Sequence, residues 1–202
     1  MKPISLADIR NLHDYELERP EFRQRVIALK RSRRIALGPL MTLVFENRDT
    51  VRFQIQEMLR VERVVEPEKV REQIEVYNEL LPRVGEVAAT LFIEVTEPEQ
   101  VQPILDGFVG LDEPGKLALV TGGERSLARF APGQSREDRI SAVHYVRFPI
   151  GGGIRRAIEQ GLPVLLAVHH GDYHATAALA SDTIEELRRD LSEQEPVETR
   201  NL

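Results

Sequence analysis

At 202 residues and a net charge of -6, the chain is long enough for one sizeable hydrophobic core and too acidic overall to read as a general nucleic-acid binder. Hydrophobic residues make up 42% and charged residues 30%, the balance of a folded domain and not of a disordered one. With no cysteine, thiol catalysis, disulfides and an iron–sulfur cluster ligated by this chain are excluded. No run approaches the ~20 apolar residues that span a bilayer, and MKPISLADIRN lacks the apolar centre of a secretion signal, so a cytoplasmic protein without a membrane partner is expected.

Ser5 and Asp8 read as a capping pair at a short helical start, with Leu6, Ile9 and Leu12 as its apolar stripe. Arg19-Pro20 predicts a break. Pro20 then opens a helix whose apolar row of Phe22, Val26 and Leu29 runs on to Arg33. Leu37-Gly38-Pro39 ends that pattern, and Leu40 to Glu46 predicts a strand buried on both sides. Asn47-Arg48-Asp49-Thr50 has turn chemistry, with Thr50 placed to cap a helix over Val51 to about Val64. A step of about 100° per residue puts Val51, Ile55, Met58 and Leu59 on one face of it. Glu62 falls in the middle of that face, Gln54 flanks it, and Glu57 lies further round beside Val61. Glu66-Pro67 opens the next helix, with Val70, Ile74, Tyr77 and Leu81 as its stripe, Gln73 and Asn78 as polar neighbours, and Pro82 as its stop.

Glu86 to Val95 reads as a strand, Pro98 to about Phe108 as a helix, and Lys116 to Val120 as a short strand. Thr121-Gly122-Gly123-Glu124 marks a hairpin into Ser126 to Phe130, and Arg136 to Ile140 reads as one helical turn. Across Ser141 to Phe148 the alternation of a strand puts Ala142, His144, Val146 and Phe148 on one side, with Val143, Tyr145 and Arg147 on the other. Gly151-Gly152-Gly153 leads into a helix ending at Gly161. Val164 to His169 is an apolar strand, Gly171-Asp172 a turn, and Tyr173 to Leu179 the return strand. Ser181-Asp182-Thr183 caps a last helix carrying Ile184, Leu187 and Leu191, and a charged tail frays from Ser192.

These elements predict a single α+β domain in which a mixed, mostly antiparallel sheet packs against several helices. It is helical over about 1–82, sheet-rich over about 83–180 and closed by a helix over about 181–192. A crossover through the three glycines would add one parallel pair.

Polar residues on these apolar faces mark the first candidate site: Arg33, Arg34, Glu46, Gln54, Glu57 and Glu62, with Tyr77 and Asn78 beside them. A carboxylate on such a face must be paired, protonated or metal-bound, because burying it alone is too costly. One reading is an ion-pair network, Arg33 or Arg34 with Glu62, that fixes helix packing in a non-catalytic interaction module. The other is a carboxylate-lined pocket that holds a divalent metal ion such as magnesium, manganese or iron, or a small anion, or that acts in proton transfer. There is no Glu-x-x-His pair of the di-iron bundle kind. The histidines are the second candidate: His144 on one strand, His169 and His170 at the end of another, and His174 beyond the turn, where with Asp172 they would form a metal site or supply a base. The three glycines followed by Arg155 and Arg156 form neither a dinucleotide fingerprint nor a Walker loop and read as a strand-to-helix joint, and no Gly-x-Ser-x-Gly elbow is present.

The segments LKRSRRIALGP, FENRDTVRFQIQEMLRVER, EVYNELLP and ATLFIE resemble, in order and spacing, a bacterial family known as domain of unknown function 3501. The likeness extends over nearly the whole chain and is most specific from Phe45 to Glu62, with Tyr77-Asn78 as a second anchor. What the resemblance implies is a setting in redox or peroxide defence, with a rubrerythrin-like protein or an iron–sulfur oxidoreductase as partner. It assigns no residue a role. The expectation is therefore a cytoplasmic accessory protein of such a system that binds a metal ion or small anion, and that forms a homo-oligomer if an apolar face is left exposed.

Overall fold

The computed structural model describes residues 1–136 and 139–194. A 3₁₀ turn at Leu6–Asp8 is closed by the reciprocal Ser5 and Asp8 cap, and α1 (Leu12–Arg31) follows. Pro20 lies inside α1, so the expected break does not occur. Tyr15, Phe22 and Val26 are buried along one side of this helix, and Phe22 meets Phe53 edge-on at 5.6 Å between ring centroids. That apolar burial outweighs the single hydrogen bond that proline removes.

The helix ends at Arg31, and Arg34 begins β1 (Arg34–Ala36), which folds back on β2 (Met41–Glu46) with Arg34 opposite Val44. Next comes α2 (Arg48–Glu62), whose N-cap is Asn47 and not Thr50. The Asn47 side-chain Oδ1 accepts from the Asp49 and Thr50 backbone amides, and the Thr50 hydroxyl accepts from the Asn47 backbone amide. Then follow α3 (Pro67–Asn78), β3 (Glu86–Ile93) and, after a 3₁₀ turn, α4 (Val101–Asp106). The second half contains β4 (Leu117–Thr121), β5 (Glu124–Leu127), β6 (Arg129–Phe130), β7 (Ser135–Arg136), β8 (Arg139–Ile140) and β9 (Val143–Pro149). It continues through α5 (Gly152–Gln160), β10 (Leu165–His170), β11 (Tyr173–Ala178) and α6 (Ser181–Glu193). In place of the helical turn expected over 136–140, β7 and β8 pair antiparallel, and residues 137 and 138 lie outside the described residues. The last helix carries Ser192 and Glu193, while Gln194 is buried and hydrogen-bonded to Gly85 and Glu86. The rest of the tail, 195–202, lies outside the described residues.

The architecture is a single α+β domain with two main antiparallel sheets, in the orders β1-β2-β3-β9-β6 and β11-β10-β4-β5. The parallel pair does not form, because the crossover through Gly151–Gly153 carries the chain from β9 in one sheet to β10 in the other. Leu43, Phe45, Leu91 and Phe148 of the first sheet share one core with Leu117, Leu119, Leu166 and Val168 of the second. Two seams join the sheets. The strand from β5 through Ala128 to β6 leaves one sheet and enters the other. At the opposite edge, the Tyr173 hydroxyl donates to the Leu37 carbonyl at 2.6 Å and accepts from the Leu40 amide at 3.1 Å. Gly38 lies under that hydroxyl with φ of +73°, where a Cβ would come within 2.5 Å of it.

Every residue of β2 is buried, so both of its faces are covered. The inner face belongs to the shared core. On the outer face, Glu46, Ala88 and Arg147 form one cross-strand row and Thr90 faces Tyr145 in the next.

Candidate functional site

The outer face of the first sheet, together with α2, α3 and the segment after β6, encloses a cleft of about 790 Å³. Its floor is the row Glu46, Ala88, Arg147 with Tyr145 beside it. Ala88 is the reason there is room, since its neighbours across both strands are long side chains and it is a single methyl. Met58 and Glu62 come from α2, Gln73 and Tyr77 from α3, and Phe130 and Gln134 close the side. Gln134 is tied to the floor by accepting from the Tyr145 amide at 2.8 Å. The volume lies in the range of small-molecule sites.

Glu46 is the unusual member. Only 3% exposed, it accepts from the Thr50 hydroxyl at 2.5 Å, the Thr90 hydroxyl at 2.6 Å and the Gln54 amide at 3.2 Å. Among the described residues no lysine, arginine or histidine is within ion-pair reach of it. Arg147, across Ala88, is engaged elsewhere: it donates to the Glu86 carboxylate at 2.7 Å, to the Leu81 carbonyl at 2.9 Å and to the Glu79 carbonyl. A carboxylate has room for about four hydrogen bonds, so with three donors Glu46 keeps acceptor capacity to spare, and it lines the cavity.

Two phenols accompany it. Burial, and then the charge of Glu46, pushes the Tyr145 hydroxyl above its ordinary pKa, while burial followed by Tyr145 and Glu62 does the same for Tyr77. Both stay protonated, and neither hydroxyl has a hydrogen-bond partner among the described residues. Glu62 and Arg129 are exposed at the rim, and neither has an ion-pair partner among the described residues.

The polar residues singled out in the sequence therefore separate into different places. Glu46 and Gln54 meet at the cleft, and Glu62 and Tyr77 line it. Arg33 pairs with neither glutamate of α2. It is 1% exposed and forms a bidentate pair with Asp190 of α6, at 2.7 and 2.9 Å, plus a bond of 2.8 Å to Glu186. Burial pushes the Asp190 carboxyl up, and the Arg33 hydrogen bonds work against that rise. Glu57 joins α2 to α1, accepting from Tyr15 at 2.7 Å and from Arg19 at 2.8 and 3.0 Å. The Arg19 guanidinium is the main cause that holds its pKa down at about 2. Arg34 is on the surface, 3.4 Å from Glu94. Asn78 faces away from the cleft and bonds both the amide and the carbonyl of Ile4 at 2.9 Å, fastening the N-terminus.

The histidines separate too. His144 is fully buried beside Phe130, its Nε2 donating to the Ser141 carbonyl at 2.8 Å, and burial lowers its pKa, so the ring is neutral. His170 packs against Phe108 with a buried Nδ1 that has no hydrogen-bond partner among the described residues. His169 and His174 are exposed and meet across β10 and β11, Nδ1 to Nδ1 at 2.9 Å. Among the described residues no group of three or more histidine, aspartate or glutamate side chains is placed to hold a metal ion. At the three glycines, the start of α5 takes an anion from the chain itself, with the Gly153 amide donating to Glu124 at 3.0 Å.

Tyr145, Thr90 and Ala88 escaped the sequence reading. The alternation in β9 already set Tyr145 and Arg147 on the side away from His144, but nothing local reveals that this side faces two helices and not water.

No curated protein matches the sequence. A solved structure is similar: the crystal structure at 1.90 Å of a novel protein of unknown function from Burkholderia pseudomallei K96243, 27% identical, with a TM-score of 0.87 over 94% of this chain and 100% of that one. The sequence itself matches the family described as protein of unknown function (DUF3501) from residue 3 to residue 191, and the chain belongs to that family.

Proposed function

We propose that this is a small-molecule-binding protein whose cleft takes a compact organic cation, an amine or amidine, on the Glu46 carboxylate. The observation that supports it is the combination at Glu46: burial, a place in the lining of a cavity of about 790 Å³, spare acceptor capacity, and no cation in reach among the described residues. An N–H⁺ group there forms a charge-assisted hydrogen bond in a partly dry site. Tyr77, Tyr145 and Phe130 add aromatic faces to the same walls, and a cation close to such a face gains about 0.5–2 kcal/mol. The two unpartnered phenols supply donors for a ligand hydroxyl or carbonyl.

The competing reading is the interaction module, for which the Arg33 and Glu57 ion pairs speak, since the first fastens the α1–β1 joint to α6, the second fastens α1 to α2, and neither residue lines this cleft. Glu46 distinguishes the two. A place beside rubrerythrin-like or iron–sulfur partners rests on the family resemblance and is a proposal of its own.

Ethanolamine, putrescine and agmatine, with acetate as the anionic control, test the cation reading by calorimetry and thermal shift. At 100-fold excess over Kd, a binding amine raises Tm by about 5–10 °C in a chain of this size. Glu46→Gln, which keeps the side-chain shape, abolishes the shift, and Tyr145→Phe weakens it. Equal binding by Glu46→Gln, or no amine response in the native protein, overturns the proposal.

A further inference from the structure

The geometry points to a second site, independent of the cleft: His169 and His174 form a two-imidazole chelate for a divalent transition metal ion, copper(II) or nickel(II). The pair is built by the hairpin. Gly171 and Asp172 make the two-residue turn, Gly171 at φ +51°, so that His170 faces Tyr173 and His169 directly faces His174. Side chains directly opposite across antiparallel strands project from one face with their Cβ atoms about 5 Å apart. Both rings are exposed, and their Nδ1 atoms are 2.9 Å apart.

The separation, that of a hydrogen bond, is also within the reach of a single ion, and imidazole nitrogens suit copper(II) and nickel(II). Two nitrogens bound at about 2.0–2.1 Å and a right angle to each other span about 2.9 Å, the cis edge of a tetragonal copper(II) or nickel(II) centre, whereas a tetrahedral angle spreads them to about 3.3 Å. In the metal-free pair one Nδ1–H donates to the other Nδ1. Moving that ring's proton to Nε2 leaves two Nδ1 lone pairs for the metal, with both Nε2–H groups facing water. No bond to the fold is given up. The backbone under the site is already fixed, because β10 is held between β11 and β4 and the His169 amide donates to the Lys116 carbonyl at 2.8 Å. His170 does not join, since its Nδ1 is turned into the protein over Phe108. With two protein ligands the remaining positions belong to water, so the bound ion is exchangeable and open to a further ligand.

The test uses the full chain without a histidine tag, titrated with copper(II) chloride and then nickel(II) chloride. The expected result is one equivalent of copper whose electron paramagnetic resonance spectrum carries hyperfine coupling from two nitrogens. His169→Ala and His174→Ala each weaken binding at least about tenfold, and both variants keep the native far-ultraviolet circular dichroism because neither ring is buried. His170→Ala, His13→Ala and Glu46→Gln leave the titration unchanged, the last of them separating this site from the cleft. Undiminished stoichiometric binding in the His169→Ala/His174→Ala double variant, or a one-nitrogen spectrum in the native protein, overturns the assignment.

Discussion

Replacing Arg33 with methionine keeps an unbranched apolar stem and deletes the guanidinium. The cost follows from what is left behind. Asp190, 4% exposed, loses both of its short hydrogen bonds and becomes a buried charge without a partner, while Glu186, more open to solvent, can turn outward. Breaking a buried pair from one side costs about 3–5 kcal/mol. For a chain of this length that is a fall in Tm of about 6–20 °C. Urea unfolding followed by circular dichroism should show a lower midpoint at an unchanged slope. Removing both charges, as Arg33→Met with Asp190→Leu, should restore stability to within about 1 kcal/mol of the native protein, because no uncompensated charge remains. The penalty in the single variant should also shrink as pH falls, since burial already raises the Asp190 pKa and a protonated carboxyl needs no counter-charge. A cost below about 1 kcal/mol for Arg33→Met, or a double variant no more stable than the single one, would refute this reasoning.

Two further outcomes are expected. The Glu57 carboxyl titrates at about 2 in the fold against an ordinary value of 4.5, so its contribution is complete above about pH 4.5 and disappears as pH falls towards 2. Glu57→Gln should therefore be less stable than the native protein at pH 7, by up to about 3 kcal/mol, and the gap should close between about pH 4.5 and 2 in acid unfolding monitored by fluorescence or dichroism. Gly38→Ala should cost about 2–4 kcal/mol in thermal unfolding, because it adds a strained left-handed alanine and pushes the Tyr173 hydroxyl off two hydrogen bonds. Gly85→Ala serves as the control: its φ is +78° with open space around the added methyl, so only the backbone strain of about 1 kcal/mol is expected there.

Features governed by neighbours in sequence were legible. The Glu66-Pro67 start of α3, the left-handed Gly161 at the end of α5 and the two-sided pattern of β9 are each set by a few adjacent residues. Pro20 misled because propensity is local and the aromatic contacts that keep α1 continuous are not. The polar site was half legible. Periodicity correctly marked Glu46 and Arg33 as buried, since charged residues interrupted apolar rows. It could not supply their partners, and Glu62, placed in the centre of an apolar face, is exposed because the cleft opens over that end of α2. Arg33 finds Asp190 at a separation of 157 residues, a distance over which no periodicity carries information.

That separation also orders events during synthesis. Arg33 and the β1–β2 hairpin leave the ribosome long before α6, so for most of translation the guanidinium has water where Asp190 will be. The N-terminal helices can associate early through Phe22, Phe53 and Ile55, yet the ion pair that fastens the α1–β1 joint to α6 closes only when the last helix arrives. A nascent chain of this protein thus carries an unpaired Arg33 until its last helix emerges, and a stop codon before Asp190 would leave that guanidinium without its bidentate partner.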